Sequence, residues 1–281
     1  MEKNEELLKR IDCLDKGFVR LVDYMGTDDS IVQAARVSYG NGTKSVRADR
    51  ELIRYLMRHR HTSPFEMVEF KFHVKLPIFV ARQWIRHRTA NVNEYSGRYS
   101  EMKDEFYIPD IDQIRTQNSV NRQGRSDSIL PDNQAQEINE MLSNTQKQLF
   151  EEYKSMLDMD IARELARINL PLSTYTEWYW KIDLHNLLHF LKLRLDFHAQ
   201  YEIRIYADKM AELIKPIVPM TYEAFEDYIL ESMTLSKQEL GIIKKLLNKE
   251  FPDDDFLAQH EIKGLEATEF KEKLKKLITV D

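Results

Sequence analysis

Cysteine is almost absent from this sequence, which contains a single one, Cys13. One thiol excludes both an intrachain disulfide and a thiolate metal cluster. Because Cys13 also lies near the amino terminus, it is a poor candidate nucleophile, and covalent thiol catalysis is disfavoured.

Long apolar runs are absent as well. No stretch of 18 apolar residues occurs, and residues 1–17 are charged and helix-like instead of forming a positive-then-apolar leader. We therefore expect a cytoplasmic protein with no membrane partner. A chain of 281 residues that is 42% hydrophobic is long enough for one large domain with an appendage.

Positive charge is concentrated in one stretch of an acidic chain. The formal net charge is -6, yet residues 82–98 hold four arginines against one glutamate. A protein that grips long nucleic acid more often has a basic surface over a whole domain, so we expect no nucleic-acid partner. The segment from Arg86 to Arg98, RHRTANVNEYSGR, lacks helical apolar spacing. Since guanidinium groups pair with phosphate oxygens in a bidentate way, this segment predicts a site for a ligand with several phosphates.

A strand and a helix precede this segment. Residues 68–76, VEFKFHVKL, alternate between apolar and polar side chains, which predicts a half-buried strand. Pro77 then suits the first turn of a helix in which Gln83, Arg86 and His87 share one face. An amphipathic helix is predicted over residues 47–60, and the polar turn after it carries His61 and Ser63.

The second half of the chain is predicted to be mainly helical. Residues 110–132 are polar and predict a long mobile loop, with helices expected after Pro131 and before Pro171. Residues 174–182 predict another strand. From Asp183, a good N-cap, the pattern predicts a helix nearly as far as Pro216. A Lys/Glu-rich helical tail, broken at residues 251–255, follows from about residue 231.

Several polar residues have a structural as well as a functional interpretation. His185 and His189 are spaced like zinc ligands, but the glutamate of HExxH is missing and no third ligand is apparent, so we expect no metal. Arg167 and Arg194 lie in apolar surroundings, where a guanidinium needs an anion. Both an internal salt bridge, such as Arg194 with Asp196, and a bound ligand satisfy that need. The three tryptophans are more typical of a core than of base stacking.

The motif RHR-x7-S, formed by residues 86–88 and Ser96, resembles the signature of the flavin-dependent thymidylate synthases. Other segments resemble the same family and span most of residues 12–225. They are AARVSYG (34–40), HTSPFE (61–66), PIFVARQW (77–84), EFYIP (105–109), ARINLPL (166–172) and LRLDFHAQYEIR (193–204).

The resemblance implies an FAD-dependent methyltransferase that converts dUMP to dTMP, with methylenetetrahydrofolate as carbon donor and NADPH as reductant. It also implies a homotetramer with FAD at the subunit interfaces. We expect an α+β fold, an antiparallel sheet flanked by helices with a helical subdomain. Residues 1–230 are expected to form the catalytic domain and residues 231–281 a helical C-terminal extension, while the 112–131 loop is a candidate lid over the folate or NADPH site.

The resemblance also implies roles for individual residues. Arg194 is implied to be catalytic, because a cation against the uracil ring makes carbon 5 nucleophilic without a cysteine. Arg98 and Arg167 are implied to grip the nucleotide phosphate, and Ser96 to bind and not to attack. The implied FAD-binding residues are Ser38, His61, Ser63, Arg86, His87, Arg88, Glu94, Asp183, His185 and His189. The implied nucleotide-binding residues are Gln83, Trp84, Ile85, Arg86, Glu94, Tyr95, Ser96, Gly97, Arg98, Arg167 and Arg194.

Three of these positions depart from the family pattern, in which Asn, Arg and Asn are frequent where this chain has Asp183, His185 and His189. A carboxylate at 183 can accept from a ribose or adenine group, but it cannot replace a phosphate-binding guanidinium. Two other functions remain as alternatives: a nucleotide- or RNA-binding module without turnover, and a metallohydrolase based on His185 and His189. Flavin colour separates the proposed enzyme from both.

Overall fold

The computed structural model describes residues 9–37, 46–119, 124–246 and 252–278. Seven strands are defined in it: β1 Arg10–Cys13, β2 Gly17–Met25, β3 Glu69–Pro77, β4 Asn91–Glu94, β5 Arg115–Gln117, β6 Arg125–Ile129 and β7 Tyr175–Asp183. Five of them form one antiparallel sheet in the order β1-β2-β3-β7-β4. The other two, β5 and β6, pair as a separate antiparallel sheet.

Helices pack against the larger sheet, and the combination confirms the expected α+β fold. They are α1 Asp28–Val37, α2 Val46–Arg58, α3 Ile78–Trp84, α4 Asp132–Asp158, α5 Arg163–Ala166, α6 Leu184–Arg194, α7 Tyr201–Ile214, α8 Pro219–Phe225, α9 Lys237–Leu246, α10 Asp254–Gln259 and α11 Gly264–Ile278. Short 3-10 turns occupy Ser63–Met67, Ile111–Gln113 and Arg167–Asn169, and a π turn occupies Glu226–Leu230. In the described parts of the chain no helix is long and apolar enough to cross a membrane.

The main core lies between one face of the sheet and helices α3, α6 and α7. The apolar side chains of β3 alternate as predicted, and Phe72 pairs across the sheet with Trp180 of β7. Trp84 at the end of α3 packs on this face, with ring centroids 5.3 Å from Trp180 and 4.8 Å from Phe190. The tryptophans are therefore core residues, as predicted, and aromatic packing fixes the end of α3 against the sheet.

The long helix predicted after Asp183 is interrupted, so this prediction was wrong. Helix α6 ends at Arg194 and α7 begins at Tyr201. Between them, an Asp196 carboxylate oxygen accepts from the backbone N–H of His198 at 2.8 Å. Aspartate stabilises such turns by offering the backbone a local alternative to helical hydrogen bonds. The break places Arg194 at the end of one helix and Gln200 immediately before the next.

Three other segments differ from the sequence-based expectations. Residues 10–13, within the segment expected to be helix-like, form strand β1, while residues 1–8 lie outside the described chain. The expected mobile loop of residues 110–132 contains the paired strands β5 and β6. The polar segment after Arg86 contributes strand β4, which pairs with β7 at the edge of the sheet. An edge strand with exposed polar side chains has no apolar alternation to reveal it.

The described residues of the C-terminal tail include the three helices α9, α10 and α11, and the tail docks on the rest of the molecule. Its helix α11 contacts α2 through an ion pair between Arg58 and Glu269, with Nε and Oε2 2.6 Å apart. Leu257 and Ala267 of the tail are buried. Ion pairing therefore holds the tail against α2.

Candidate active site

A cleft lies where the end of α3 meets the side of α6. Its volume is about 300 Å³, and it is lined by Arg86, His87, Arg88, Thr89, Ile182, Asn186, His189, Leu193 and Arg194. None of these described lining residues is acidic. Three guanidinium groups around a space without carboxylates attract anions, as the composition of this segment predicted. A smaller cavity of about 180 Å³ adjoins it and shares His87 and Arg88.

Arg194 and His87 form a hydrogen bond inside the larger cleft. The Nε of Arg194 donates to Nε2 of His87 at 3.1 Å. Burial, with the Arg194 cation and His189 adding to it, lowers the pKa of His87 to about 4. The imidazole is therefore neutral at physiological pH, and because Nε2 accepts, its proton is on Nδ1.

Arg194 has no carboxylate partner among the described residues. Burial lowers its pKa, and no nearby acidic group opposes this effect. Asp196, the candidate partner for an internal salt bridge, pairs instead with Nδ1 of His198 at 2.9 Å. That salt bridge is therefore not formed. A half-buried cation without an internal counter-ion is a suitable group to meet negative charge on a ligand.

A second basic group lies around the turn at residues 96–98. The Arg98 backbone N–H donates to Oγ of Ser96 at 3.3 Å, and Arg167 packs against Gly97. A Cβ added at Gly97 would lie 3.2 Å from Cδ of Arg167 and 2.7 Å from Sδ of Met102. Glycine thus allows the close approach of Arg167 to this turn. The Arg98 side chain forms an exposed ion pair with Glu164 at 3.1 Å.

The two basic groups lie at opposite ends of strand β4. Arg86 and Arg88 precede its first residue, whereas Ser96 and Arg98 follow its last. Four residues of extended chain span about 13 Å. The predicted phosphate grip and the arginine cleft are therefore separate features of one chain.

The other predicted nucleotide-binding residues flank these two groups. Gln83 lies in the last turn of α3 and donates to the side chain of Gln200. Glu94 ends β4 and accepts from the Thr176 hydroxyl at 2.8 Å. The Tyr95 backbone N–H donates to the Glu177 carbonyl at 2.8 Å, which continues the strand pairing. Ile85 is exposed beside the smaller cavity, while the buried Trp84 forms part of that cavity's wall.

The predicted flavin-binding residues outside the cleft belong to three segments. His61 follows α2, with its ring centroid 5.8 Å from that of Tyr55, and Ser63 begins the 3-10 turn that packs against α6. Both residues are exposed. Ser38 lies outside the described residues.

Asp183 is the N-cap of α6, as its position predicted. One oxygen accepts from the Asn186 backbone N–H at 2.9 Å and the other from the Asn186 side chain at 2.8 Å. His189 faces the cleft one turn after His185, with its ring centroid 6.1 Å from that of His87. Within the part of the chain that the structure describes, no group of three or more His, Cys, Asp or Glu side chains is arranged to hold a metal.

Four residues that line the cleft were not predicted from the sequence: Thr89, Ile182, Asn186 and Leu193. Ile182 belongs to strand β7, whereas Asn186 and Leu193 share one face of α6 with His189, at spacings of three and four residues. That face lies opposite the buried leucines of α6, and its spacing is the sequence pattern that could have identified Asn186 and Leu193.

Cys13 lies in β1 and is buried. Burial raises the pKa of its thiol to about 12. A thiol that stays protonated is a weak nucleophile, which agrees with the expectation that sulfur takes no part in the chemistry.

Comparisons with known proteins place this arrangement in a family. The sequence model described as "Thymidylate synthase complementing protein" matches residues 20–220. The chain is 60% identical over 246 residues to the flavin-dependent thymidylate synthase of Ehrlichia ruminantium (strain Gardel), covering 88% of this chain and 82% of that one. It is 55% identical over 267 residues to the enzyme of the same name from Treponema denticola, covering 95% and 97% of the two chains.

Solved structures agree with these sequence matches. The UMP/dUMP methylase PolB from Streptomyces cacaoi, bound with 5-Br dUMP, superposes with a TM-score of 0.71 at 36% identity. The match covers 78% of this chain and 99% of the methylase. The chain belongs to the flavin-dependent thymidylate synthase family.

Proposed function

We propose that this protein converts dUMP to dTMP by reductive methylation, with methylenetetrahydrofolate as carbon donor and NADPH as reductant by way of bound FAD. The observation that carries the proposal is Arg194, a half-buried cation that neutral His87 orients in a cleft without acidic lining residues. The names of the relatives and the dUMP analogue bound to the similar methylase support the same substrate.

The donor groups of the cleft fit a flavin dinucleotide. Arg86 and Arg88 suit the pyrophosphate, since guanidinium forks match its oxygens, and His189 adds a polar group beside them. The proposed FAD contacts also include the separate His61 and Ser63 segment, Glu94, and Asp183 with His185. Ser38 is proposed from sequence alone. Bound FAD supplies the hydride-transfer chemistry, while the protein supplies orientation and charge.

The turn at residues 96–98 is the proposed phosphate site for dUMP. Arg98 and Arg167 supply cations, and Ser96 supplies a hydroxyl and a backbone turn. Gly97 allows Arg167 to approach the turn, so a phosphate held there contacts backbone and guanidinium groups together. Gln83, Ile85 and Tyr95 are the proposed neighbours of the rest of the nucleotide, and Trp84 forms the wall behind them.

Arg194 is the proposed catalytic residue. Methylation requires carbon 5 of uracil to act as a nucleophile, which needs electron density from the ring. A guanidinium against the uracil edge stabilises negative charge on the ring, an effect that is strong in a site shielded from water. Addition of a thiolate to carbon 6 is not part of the proposal, because Cys13 is buried and its thiol stays protonated.

A homotetramer with FAD at the subunit interfaces is part of the proposal. One chain holds its two basic groups at opposite ends of β4, about 13 Å apart by strand length. A cleft of about 300 Å³ also holds only part of a flavin dinucleotide. If a neighbouring subunit contributes its own basic group to the site, the separation within one chain is bridged and the cleft is enlarged enough for the whole cofactor.

We further propose that residues 1–230 form the catalytic domain and residues 231–281 an extension outside the chemistry. The β5–β6 sheet is the proposed cover of the folate or NADPH site, and the enzyme is expected to act in the cytoplasm. Neither nucleic acid nor membrane is a proposed partner.

The proposal is tested with purified protein under anaerobic conditions. Bound flavin absorbs at about 450 nm, and NADPH is expected to bleach this band. Adding dUMP and methylenetetrahydrofolate should restore the band and produce dTMP. A nucleotide-binding module or a metallohydrolase would show neither the band nor the product. Absence of the flavin band, or absence of dTMP, would overturn the proposal.

A further inference from the structure

A buried carboxylate is connected to the predicted nucleotide-binding residue Gln83 through one intervening side chain, that of Gln200. Glu202, in the first turn of α7, is only 1% exposed. It accepts a hydrogen bond from the Tyr107 hydroxyl at 3.1 Å and from Nε2 of Gln200 at 2.8 Å, and it forms an ion pair with the guanidinium of Arg125. All three partners donate to this carboxylate, so Glu202 acts here only as an acceptor.

The Glu202 carboxylate determines how the next two amides are oriented. Because Glu202 only accepts, Gln200 must direct its NH₂ group towards it, which leaves the carbonyl oxygen of Gln200 facing Gln83. Gln83 then donates its own NH₂ group to Gln200. An amide with its NH₂ group engaged presents its carbonyl oxygen on the other side. The Oε1 of Gln83 is thus available as an acceptor.

We infer that Glu202 is a positioning residue, which holds Gln83 so that its carbonyl oxygen accepts a hydrogen bond from a donor on the bound nucleotide. This inference rests on the proposed function, since it assumes that Gln83 contacts dUMP. Two groups of dUMP have the required chemistry: the ring N3–H and the ribose 3′-hydroxyl. A site that fixes an acceptor discriminates strongly against an analogue that lacks the matching donor.

The fold is arranged to keep this relay rigid. Glu202 lies in the first turn of α7, where a negative charge is favoured by the helix dipole. Arg125 comes from β6, and its guanidinium also lies 5.6 Å from the ring centroid of Tyr201. Tyr107 reaches the same carboxylate from the chain segment after the turn at residues 96–98. Three separate segments therefore converge on one acceptor, which limits its movement.

The test compares nucleotide binding by the flavin-loaded wild type and the variant Glu202→Gln. An amide at 202 can donate to Gln200, which allows both glutamines to reverse and Gln83 to present NH₂. We expect roughly tenfold weaker dUMP binding, the effect of losing one good hydrogen bond. Glu212→Gln, at an exposed carboxylate on the same helix that pairs with Lys209, is the matched control and should bind dUMP normally.

Two analogues give a readout that a merely structural role would not change. N3-methyl-dUMP lacks the ring donor, and 2′,3′-dideoxy-UMP lacks the ribose donor. The wild type is expected to bind one of them about tenfold more weakly than dUMP, which identifies the donor, and Glu202→Gln should lose that discrimination. Glu202→Asp keeps an acceptor at this position and should still discriminate between dUMP and that analogue.

Gln200→Ala provides a second test, because it breaks the relay while Glu202 keeps Arg125. If Glu202→Gln does not fold, loss of analogue discrimination in Gln200→Ala supports the inference. If either folded variant discriminates between dUMP and the analogue as strongly as the wild type does, the inference is overturned. If the wild type itself binds no dUMP, the proposed function fails, and if it binds dUMP but both analogues equally well, the inference alone fails.

Discussion

Arg194 donates through its Nε to Nε2 of His87 at 3.1 Å, and the imidazole accepts because it is neutral. This bond uses one of the five N–H groups of the guanidinium and fixes the plane of the rest. Arg194 also lies at the C-terminal end of α6, where the helix dipole favours a cation. A neutral histidine thus orients a cation that no described carboxylate neutralises.

Replacement of this cation should abolish the chemistry while leaving the cofactor in place. We expect Arg194→Ala to retain bound FAD and to lose at least about 100-fold in dTMP formation, the usual effect of removing one stabilising donor from a transition state. The measurements are the flavin absorbance and kcat. Lys192→Ala removes an exposed cation from the same helix and serves as the control. Near-normal turnover by Arg194→Ala would remove this residue from catalysis.

The low pKa of His87 predicts a pH dependence of stability. Its pKa falls from 6.5 to about 4 on folding. As the pH drops from about 6.5 to 4, the unfolded chain therefore binds a proton at this site before the folded chain does, and stability decreases through that window. Above it, both states are neutral and the group contributes no pH dependence.

The variant His87→Gln cannot take up this proton, which provides the comparison. Urea unfolding of both proteins in the same flavin-loading state, at pH 7 and pH 5, gives the two free energies of unfolding. We expect the wild type to lose stability relative to His87→Gln at pH 5. A difference between the two proteins that stays constant with pH would contradict the assignment.

Arg98 should act on dUMP affinity more than on turnover. We expect Arg98→Ala to raise the Kd for dUMP roughly tenfold to 100-fold, because a hydrogen bond to a charged group is lost. Its exposed ion pair with Glu164 contributes little, so Glu164→Gln should leave dUMP binding unchanged or slightly stronger. Titration calorimetry distinguishes the two variants. Equal weakening by both would show that the ion pair itself, and not phosphate binding, explains the effect.

Removal of the tail should affect stability more than chemistry. A chain that ends at residue 230 loses the contact of Glu269 with Arg58 and the buried side chains of Leu257 and Ala267. We expect a Tm lower by several degrees and an unchanged kcat per bound flavin. Glu269→Gln, a smaller change at the same contact, should lower Tm less. Loss of assembly or of all activity on truncation would show that the tail belongs to the catalytic unit.

Parts of the fold could be predicted because their side chains repeat with a regular period. Strand β3 alternates along its length, and α4 begins immediately after Pro131, as predicted. Strand β4 has one neighbour and no buried side chain, so nothing in its sequence distinguishes it from a loop. At the break between α6 and α7, Asp196 accepts from the backbone N–H of His198 and pairs with its ring, and such local contacts compete with an otherwise continuous helical pattern.

The site was predictable by residue type but not by geometry. The arginine-rich segment indicated an anion site, yet the meeting of His87 with Arg194, 107 residues apart in sequence, depends on how α3 and α6 pack. The resemblance to a family implied a role for each of the two residues but not their contact, and no local period links these two positions. The role of Glu202 was not predictable from the sequence for a similar reason, since its partners Tyr107 and Arg125 come from distant segments.

The most direct test of the account is a single anaerobic turnover by flavin-loaded wild type and Cys13→Ala. Each protein is first reduced with one equivalent of NADPH per bound flavin and then mixed with dUMP and methylenetetrahydrofolate, and dTMP is quantified against bound flavin. We predict that both proteins form dTMP in an amount equal to their flavin. No dTMP from the wild type, or loss of dTMP in Cys13→Ala with flavin retained, would contradict an enzyme that activates uracil by charge and not by sulfur.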